Sequence, residues 1–223
     1  MKFLSIFTST ILLLTASVEA KTIKRYSFKS AIIKYKISGY GQMMGVDTNS
    51  SGTKSLYFKN YGNLSIEKTE QTIMQLGETP DVRRVHTLKK VDHITVYSVD
   101  FKQKKIIKSC DPVASRYQDL EKSLSADHIA LLLENGGTRG GTDKVLGFKC
   151  EIWNIMGTSQ CLYQDQIPLW IEADIMGMKQ KTIATDIQFN VNISDKEFEL
   201  PFYPIETLTM QSSIETTTKQ KNP

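Results

Sequence analysis

Residues 31 to 39 read AIIKYKISG, with Ala31, Ile33, Tyr35 and Ile37 on one parity and Lys34, Lys36 and Ser38 on the other. A period of two with an apolar and a charged face predicts a half-buried antiparallel strand. The same grammar runs outward in both directions. After GYGQMMGVDTNSSG, expected as a long turn, Leu56 and Phe58 of TKSLYFKNYG resume the alternation until Gly62. NLSIEKTEQTIMQ and VRRVHTLKK predict further strands around a loop from Gly77 to Asp81, and HITVYSVDFKQKKIIKSC predicts a strand pair turning near Lys102 to Lys104. Strands are also expected over Lys144–Asn154, Ser159–Gln164, Ile167–Ile175 and Thr182–Ile193. In the last, Ile183, Ile187, Phe189, Val191 and Ile193 are expected on one face.

One stretch departs from this pattern. From Pro112 to Asn135, Val113, Tyr117, Leu120 and Leu124 recur at helical spacing behind an Asp111-Pro112 start, with an interruption expected at Ser125-Ala126-Asp127. A second short helix then carries the apolar run Ile129 to Leu133 and stops at Gly136-Gly137. The chain is expected to be mainly β, an α+β fold with an antiparallel sheet and a mid-chain helical segment.

The chain has 223 residues. Residues 1–20 combine Lys2, an apolar run from Phe3 to Ala16 and a small-x-small ending at Ala20, the pattern of a cleaved secretory signal peptide. Residues 21–204 are expected as one domain, exported and periplasmic, with no transmembrane segment. The polar stretch from 205 to 223 lacks the apolar residues to order itself and is expected as a disordered tail. The net charge is +4, and the basic residues alternate with apolar ones instead of forming a block. That distribution describes solvated strand faces, and it speaks against a nucleic-acid partner while allowing a weak attraction to an anionic membrane surface.

In an oxidising compartment the three cysteines call for pairing. A turn at Asn154-Ile155-Met156-Gly157 sets Cys150 directly opposite Cys161, and opposed residues bring their β-carbons near disulfide distance. A disulfide Cys150–Cys161 is expected, with Cys110 as the odd cysteine and capture of one partner by Cys110 left open. Zinc would need four ligands in close pairs, and a redox pair would stand two residues apart at a helix start.

Nothing else in the chain spells out catalysis. His86, His93 and His128 would need coincidence in space to hold a metal, so no metal and no cofactor is expected. GGTRGGTDK has the glycine spacing of a phosphate loop, but Thr142 and Asp143 stand where Lys and Ser/Thr are required, and the glycines follow a helix; a helix stop and loop is expected. No nucleophile elbow, zinc-protease helix or dinucleotide fingerprint occurs, and the protein is not expected to be an enzyme.

The order of pieces carries a resemblance. YKISGYGQMMG, GTKSLYFKNYG, ITVYSVDFKQKK, a helix, GTDKVLGFKCEIWNIMGTSQCLYQDQIPLWIEADIMG and a closing FELP together resemble a family of exported bacterial proteins of unknown function, related in architecture to the LolA/LolB lipoprotein-carrier superfamily, over roughly residues 28 to 203. The resemblance implies a strongly curved antiparallel sheet, an incomplete β-barrel, with helices across its open concave side. In the carriers that concave surface accepts acyl chains.

Two functions are consistent with this reading. The first is a soluble periplasmic binding protein for a lipid or other hydrophobic ligand, its site lined by Tyr35, Ile37, Phe58, Phe148, Leu169, Ile187 and Phe189 and closed by Leu120, Leu124, Ile129 and Leu132. The second is an envelope protein-interaction or stress-sensing module without a small-molecule ligand, whose protein partner would meet exposed aromatics. Trp153 and Trp170, opposite in parity to the core residues of their strands, are the candidates for that surface.

Overall fold

A computed structural model describes residues 24–208 except 44, 78, 120–123 and 176. The expected leader, residues 209–223 and Leu120 lie outside the described residues, as does the side chain of Leu124. The strands are β1 (Ala31–Met43), β2 (Val46–Lys59), β3 (Leu64–Gln75), β4 (Asp81–Asp92), β5 (Thr95–Asp100) and β6 (Lys105–Cys110). Two helices follow, α1 (Pro112–Asp119) and α2 (Leu124–Glu134). The remaining strands are β7 (Thr138–Val145), β8 (Phe148–Ile155), β9 (Thr158–Tyr163), β10 (Ile167–Ile175), β11 (Met178–Phe189) and β12 (Ile205–Thr207). Among the described residues they form one twelve-stranded sheet in the order β12-β6-β5-β4-β3-β2-β1-β11-β10-β9-β8-β7. Every pairing is antiparallel except β12 with β6. The two edge strands do not meet, so the fold is mainly β and the barrel is incomplete.

The curvature is legible in one hydrogen bond. Gln71 on β3 and Gln180 on β11 are three strand spacings apart, about 14 Å in a flat sheet. Their side-chain amides nevertheless meet at 2.9 Å. Gly39 and Gly52 lie between them, in register with Gln180 and Gln71 respectively. A β-carbon at Gly52 would stand 2.2 Å from the Glu70 carbonyl oxygen, and one at Gly39 would stand 2.5 Å from Ser50 Oγ. These glycines are where neighbouring backbones press together as the sheet curls. The expected long turn from Gly39 to Gly52 is therefore strand: the β1–β2 ladder continues to Met43↔Val46.

Similar corrections apply elsewhere. The expected strand Lys144–Asn154 is a hairpin, β7 and β8, turning at Leu146 and Gly147 with φ of 51° and 87°. Consequently GGTRGGTDK contributes edge strand and not a loop. Ser125-Ala126-Asp127, the expected interruption, lie inside α2. Asp111 caps α1, its carboxylate accepting from the Ala114 amide at 3.0 Å. α2 ends as expected at Gly136-Gly137, whose amides donate to the Leu133 and Leu132 carbonyls at 3.0 and 2.8 Å. The chain also stays ordered past Pro204, where Ile205–Thr207 lie parallel to β6.

The Cys150–Cys161 disulfide is present, with α-carbons 5.3 Å apart, and Cys110 is free and exposed. Its register differs from the expected one. The hairpin turns on Met156-Gly157, both at positive φ, so Cys161 faces Ile152 and Cys150 sits diagonally beyond the last paired residue, Glu151. Release from the ladder there lets the two α-carbons draw closer than the usual diagonal of about 7–8 Å. Thiol labelling of the unreduced, denatured protein is expected to modify Cys110 alone. Labelling at all three cysteines would contradict the bridge.

Among the described residues, apolar packing is divided among three clusters. The largest joins Ala31, Ile33, Tyr35, Leu56 and Phe58 to Cys150, Cys161, Ile167, Leu169 and Ala184. On the opposite face of β1–β4, Ile66 is covered by Ile193 and Phe198 from the segment following β11. Val191 and Ile193 thus leave the face of Phe189, because β11 ends there and the chain crosses back over the sheet. The third cluster is Leu132 with Trp153 and Leu162, flanked by Ile129 and Ile155.

Candidate functional site

Register assigns the inner face. Ala31, Ile33, Tyr35, Ile37 and Gly39 of β1 stand opposite Phe58, Leu56, Lys54, Gly52 and Ser50 of β2. Across the other ladder they stand opposite Phe189, Ile187, Ala184, Thr182 and Gln180 of β11. β3 adds Glu67, Thr69 and Gln71. Read along the strands, this face is apolar at the Ala31 end and polar at the Gly39 end, and Tyr35 sits at the change.

At the apolar end Phe189 stacks on Phe28 with ring centroids 3.9 Å apart, and Phe148 meets both Phe189 and Tyr163, at 5.7 and 5.1 Å. All four rings are only half-buried. Deeper in, Tyr26 stacks on Phe58 at 4.3 Å. Burial, then the nearby Glu67 carboxylate, pushes the Tyr26 phenol up to about 12. The segment carrying Tyr26 and Phe28 is fastened by Gln166, whose side chain accepts from the Ser27 amide at 2.7 Å, and by Arg25, paired with Asp111 at 3.3 Å.

At the polar end the Lys54 ammonium lies 5.6 Å from the centre of the Tyr35 ring and pairs with Glu67 at 2.7 Å. Tyr35 is buried, and that burial, followed by Tyr26 and Glu67, raises its hydroxyl far above the ordinary tyrosine range. It stays protonated and available as a donor.

Most of the predicted lining residues converge. Tyr35, Phe58 and Leu169 belong to one buried cluster, with Phe148, Ile187 and Phe189 packed against it. Ile37 is buried on the same inner face. Of the predicted closing residues, Ile129 and Leu132 belong to the separate cluster on Trp153 and Leu162. α2 is also tied to the β9–β10 turn by a hydrogen bond between His128 and the Asp165 carbonyl. It covers β8 and β9, not the β1–β2 floor. Tyr26, Phe28 and Tyr163 were absent from the sequence-predicted lining; only the stacking in three dimensions reveals them.

Trp153 and Trp170 are not surface aromatics. Trp153 lies fully buried beneath α2 with the Arg139 guanidinium 5.1 Å from its ring, and the buried Trp170 donates its indole N–H to Asp143 at 2.8 Å. Hydrogen bonds from the Lys144 amide and from Trp170 hold the Asp143 carboxyl below its usual range. The histidines have separate partners: His86 stacks on Phe101, His93 bonds Asp92, and His128 takes Asp165. A cleft of about 400 Å³ is lined by Tyr40, Ser159, Glu172 and Lys181, and another of about 620 Å³ by Thr53, Gln71, Arg84 and His86. Neither contains a predicted lining residue. Among the described residues no helix is long and apolar enough to cross a membrane.

No family model matches the chain, and no curated protein matches its sequence. Solved structures do show likenesses. An uncharacterized conserved protein from Thermus thermophilus aligns at 8% identity and TM-score 0.42, covering 78% of this chain and 90% of its own. PNGF-II aligns at 12% identity and TM-score 0.39, over 86% of this chain but 34% of its own. A domain assigned to an outer membrane lipoprotein-sorting protein of Vibrio parahaemolyticus aligns at 8% identity and TM-score 0.29, over 78% and 92%. Likenesses this loose say nothing of what the chain binds.

Proposed function

We propose that the protein is a soluble, non-catalytic periplasmic binding protein for a lipid or other hydrophobic ligand, taken up on the inner face of the curled sheet. The observation that carries this reading is the graded inner face: an aromatic end left half-open at Phe28, Phe148, Tyr163 and Phe189, continuous with a buried apolar floor. A core built only for stability would seal such rings, because each buried methylene contributes about 0.8 kcal/mol. The floor residues are buried, so a ligand enters by parting side chains at the aromatic end. Residues 1–20 act as a cleaved leader, and the Cys150–Cys161 bridge suits an oxidising compartment. The interaction-module reading has lost its sequence support, since Trp153 and Trp170 are both buried.

Native mass spectrometry of protein purified from its own cell envelope is expected to show added masses of acyl-chain compounds, and a fluorescent fatty acid should bind the delipidated protein in a saturable way. A delipidated, folded protein that binds no such probe would contradict the reading.

A further inference from the structure

Two buried hydroxyls on the inner face, Tyr35 Oη and Ser50 Oγ, have no hydrogen-bond partner among the described residues. Tyr35 is 3% exposed and Ser50 6%. A buried hydroxyl left unmatched is costly, and one so placed points to something outside the chain that completes it. Neither hydroxyl lies at random. Tyr35 stands where the inner face turns from apolar to polar, and Ser50 lies four residues before Lys54 on β2, opposite Gly39, where no side chain intervenes.

The neighbouring charge narrows what could complete them. Lys54 already pairs with Glu67 at 2.7 Å, so the polar end lacks a hydrogen-bond acceptor more than it lacks a counter-charge. Towards the other end Ile33, Leu56, Phe58, Ile187 and Phe189 offer apolar surface, bordered on β3 by Glu67, whose carboxylate Lys54 already engages. An occupant that fits both ends is a hydrocarbon chain terminating in a carbonyl.

We propose that the inner face holds an acyl chain with its carbonyl oxygen accepting from the Tyr35 hydroxyl and its tail running along Leu56 and Phe58 towards Phe189. This rests on the hydrophobic-ligand reading above and gives the ligand a polar anchor and a direction. The carbonyl belongs either to a free fatty acid or to an acyl ester. Ser50 supplies a second donor to the same polar end.

The test is competition against a fluorescent fatty acid by three probes of equal chain length, dodecanoic acid, methyl dodecanoate and dodecane, on wild type, Tyr35→Phe and Ser50→Ala. Tyr35→Phe is expected to weaken the acid, the ester or both by about fivefold while leaving dodecane unchanged, since only the carbonyl compounds lose a hydrogen bond. A loss confined to the acid assigns a free fatty acid; a loss shared by the ester assigns the acyl group itself. Ser50→Ala is expected to act in the same direction but more weakly. Equal affinities for all three probes in wild type and Tyr35→Phe would overturn the proposal while leaving hydrophobic binding standing. Failure of every probe to bind wild type would remove the underlying reading with it. Melting supplies a second check: because the hydroxyl has no partner in the protein, Tyr35→Phe should melt no lower than wild type, and a clear drop would mean that the hydroxyl is already satisfied.

Discussion

Replacing Gly52 with valine is expected to cost the fold a large share of its stability. The added β-carbon would meet the Glu70 carbonyl oxygen at 2.2 Å and the Gln71 α-carbon at 2.8 Å. Both are backbone atoms of β3, so neither can swing away as a side-chain tip would. Relief requires parting β2 from β3 where Gly52 faces Gln71, and with it the curl that lets Gln71 reach Gln180. Overpacking of a constrained site costs about 3 kcal/mol or more, a large share of a total stability of about 5–15 kcal/mol. Thermal unfolding should therefore fall by about 10 °C or more. Gly77→Val is the control, because a β-carbon there meets only the Val46 side chain at 3.6 Å. If Gly52→Val melted like the control, the strands would not be pressed together at that point.

Leu132→Glu is expected to produce the second large effect, and a local one. Leu132 is buried between α2 and the sheet against Trp153 and Leu162. A carboxylate placed there loses its hydration without gaining a partner, at a cost of several kcal/mol. α2 can avoid that cost by leaving the sheet, since its packing forms a cluster of its own, separate from the floor of β1 and β2. The variant should show red-shifted tryptophan emission from an uncovered Trp153 and rapid proteolysis near α2, while strand content persists. Fatty-acid binding should stay within about twofold of wild type, because none of the described α2 side chains belongs to the inner-face cluster. Loss of binding with the sheet intact would show instead that α2 closes the ligand site.

The strands were legible in the sequence wherever one face is buried, because alternation is then a direct print of burial. AIIKYKISG and SLYFK gave the β1–β2 floor correctly for this reason, and with it Tyr35, Ile37 and Phe58. Legibility failed where a residue's role depends on a neighbour distant in sequence. Gly39 and Gly52 look like turn residues, yet they are strand positions cleared for the approach of β11 and β3. Leu146-Gly147 hides a tight turn, and Met156-Gly157 the true centre of the expected one, because an apolar residue occupies the first positive-φ position, where asparagine would have been the signal. The hidden first turn made one strand of two, and the second shifted the cysteine register by two residues without spoiling the pairing. Parity misled at Trp153 as well: facing away from Cys150 is not facing water when a helix covers that side. Ile129 and Leu132 pack apart from the β1–β2 floor because helical periodicity reveals that a face is buried, not which part of the sheet buries it.

The central claim is that the inner face of the curled sheet receives the ligand, and photolabelling tests it most directly. A fatty acid with a diazirine near its tail, bound to the delipidated protein and irradiated, should mark peptides of β1, β2 and β11 around Ile33, Leu56, Phe58 and Phe189, with Phe28 as a further target. Excess unlabelled fatty acid should abolish that label. Label confined to α2 and Trp153, or to the outer cleft at Tyr40 and Lys181, would place the ligand elsewhere and contradict the account.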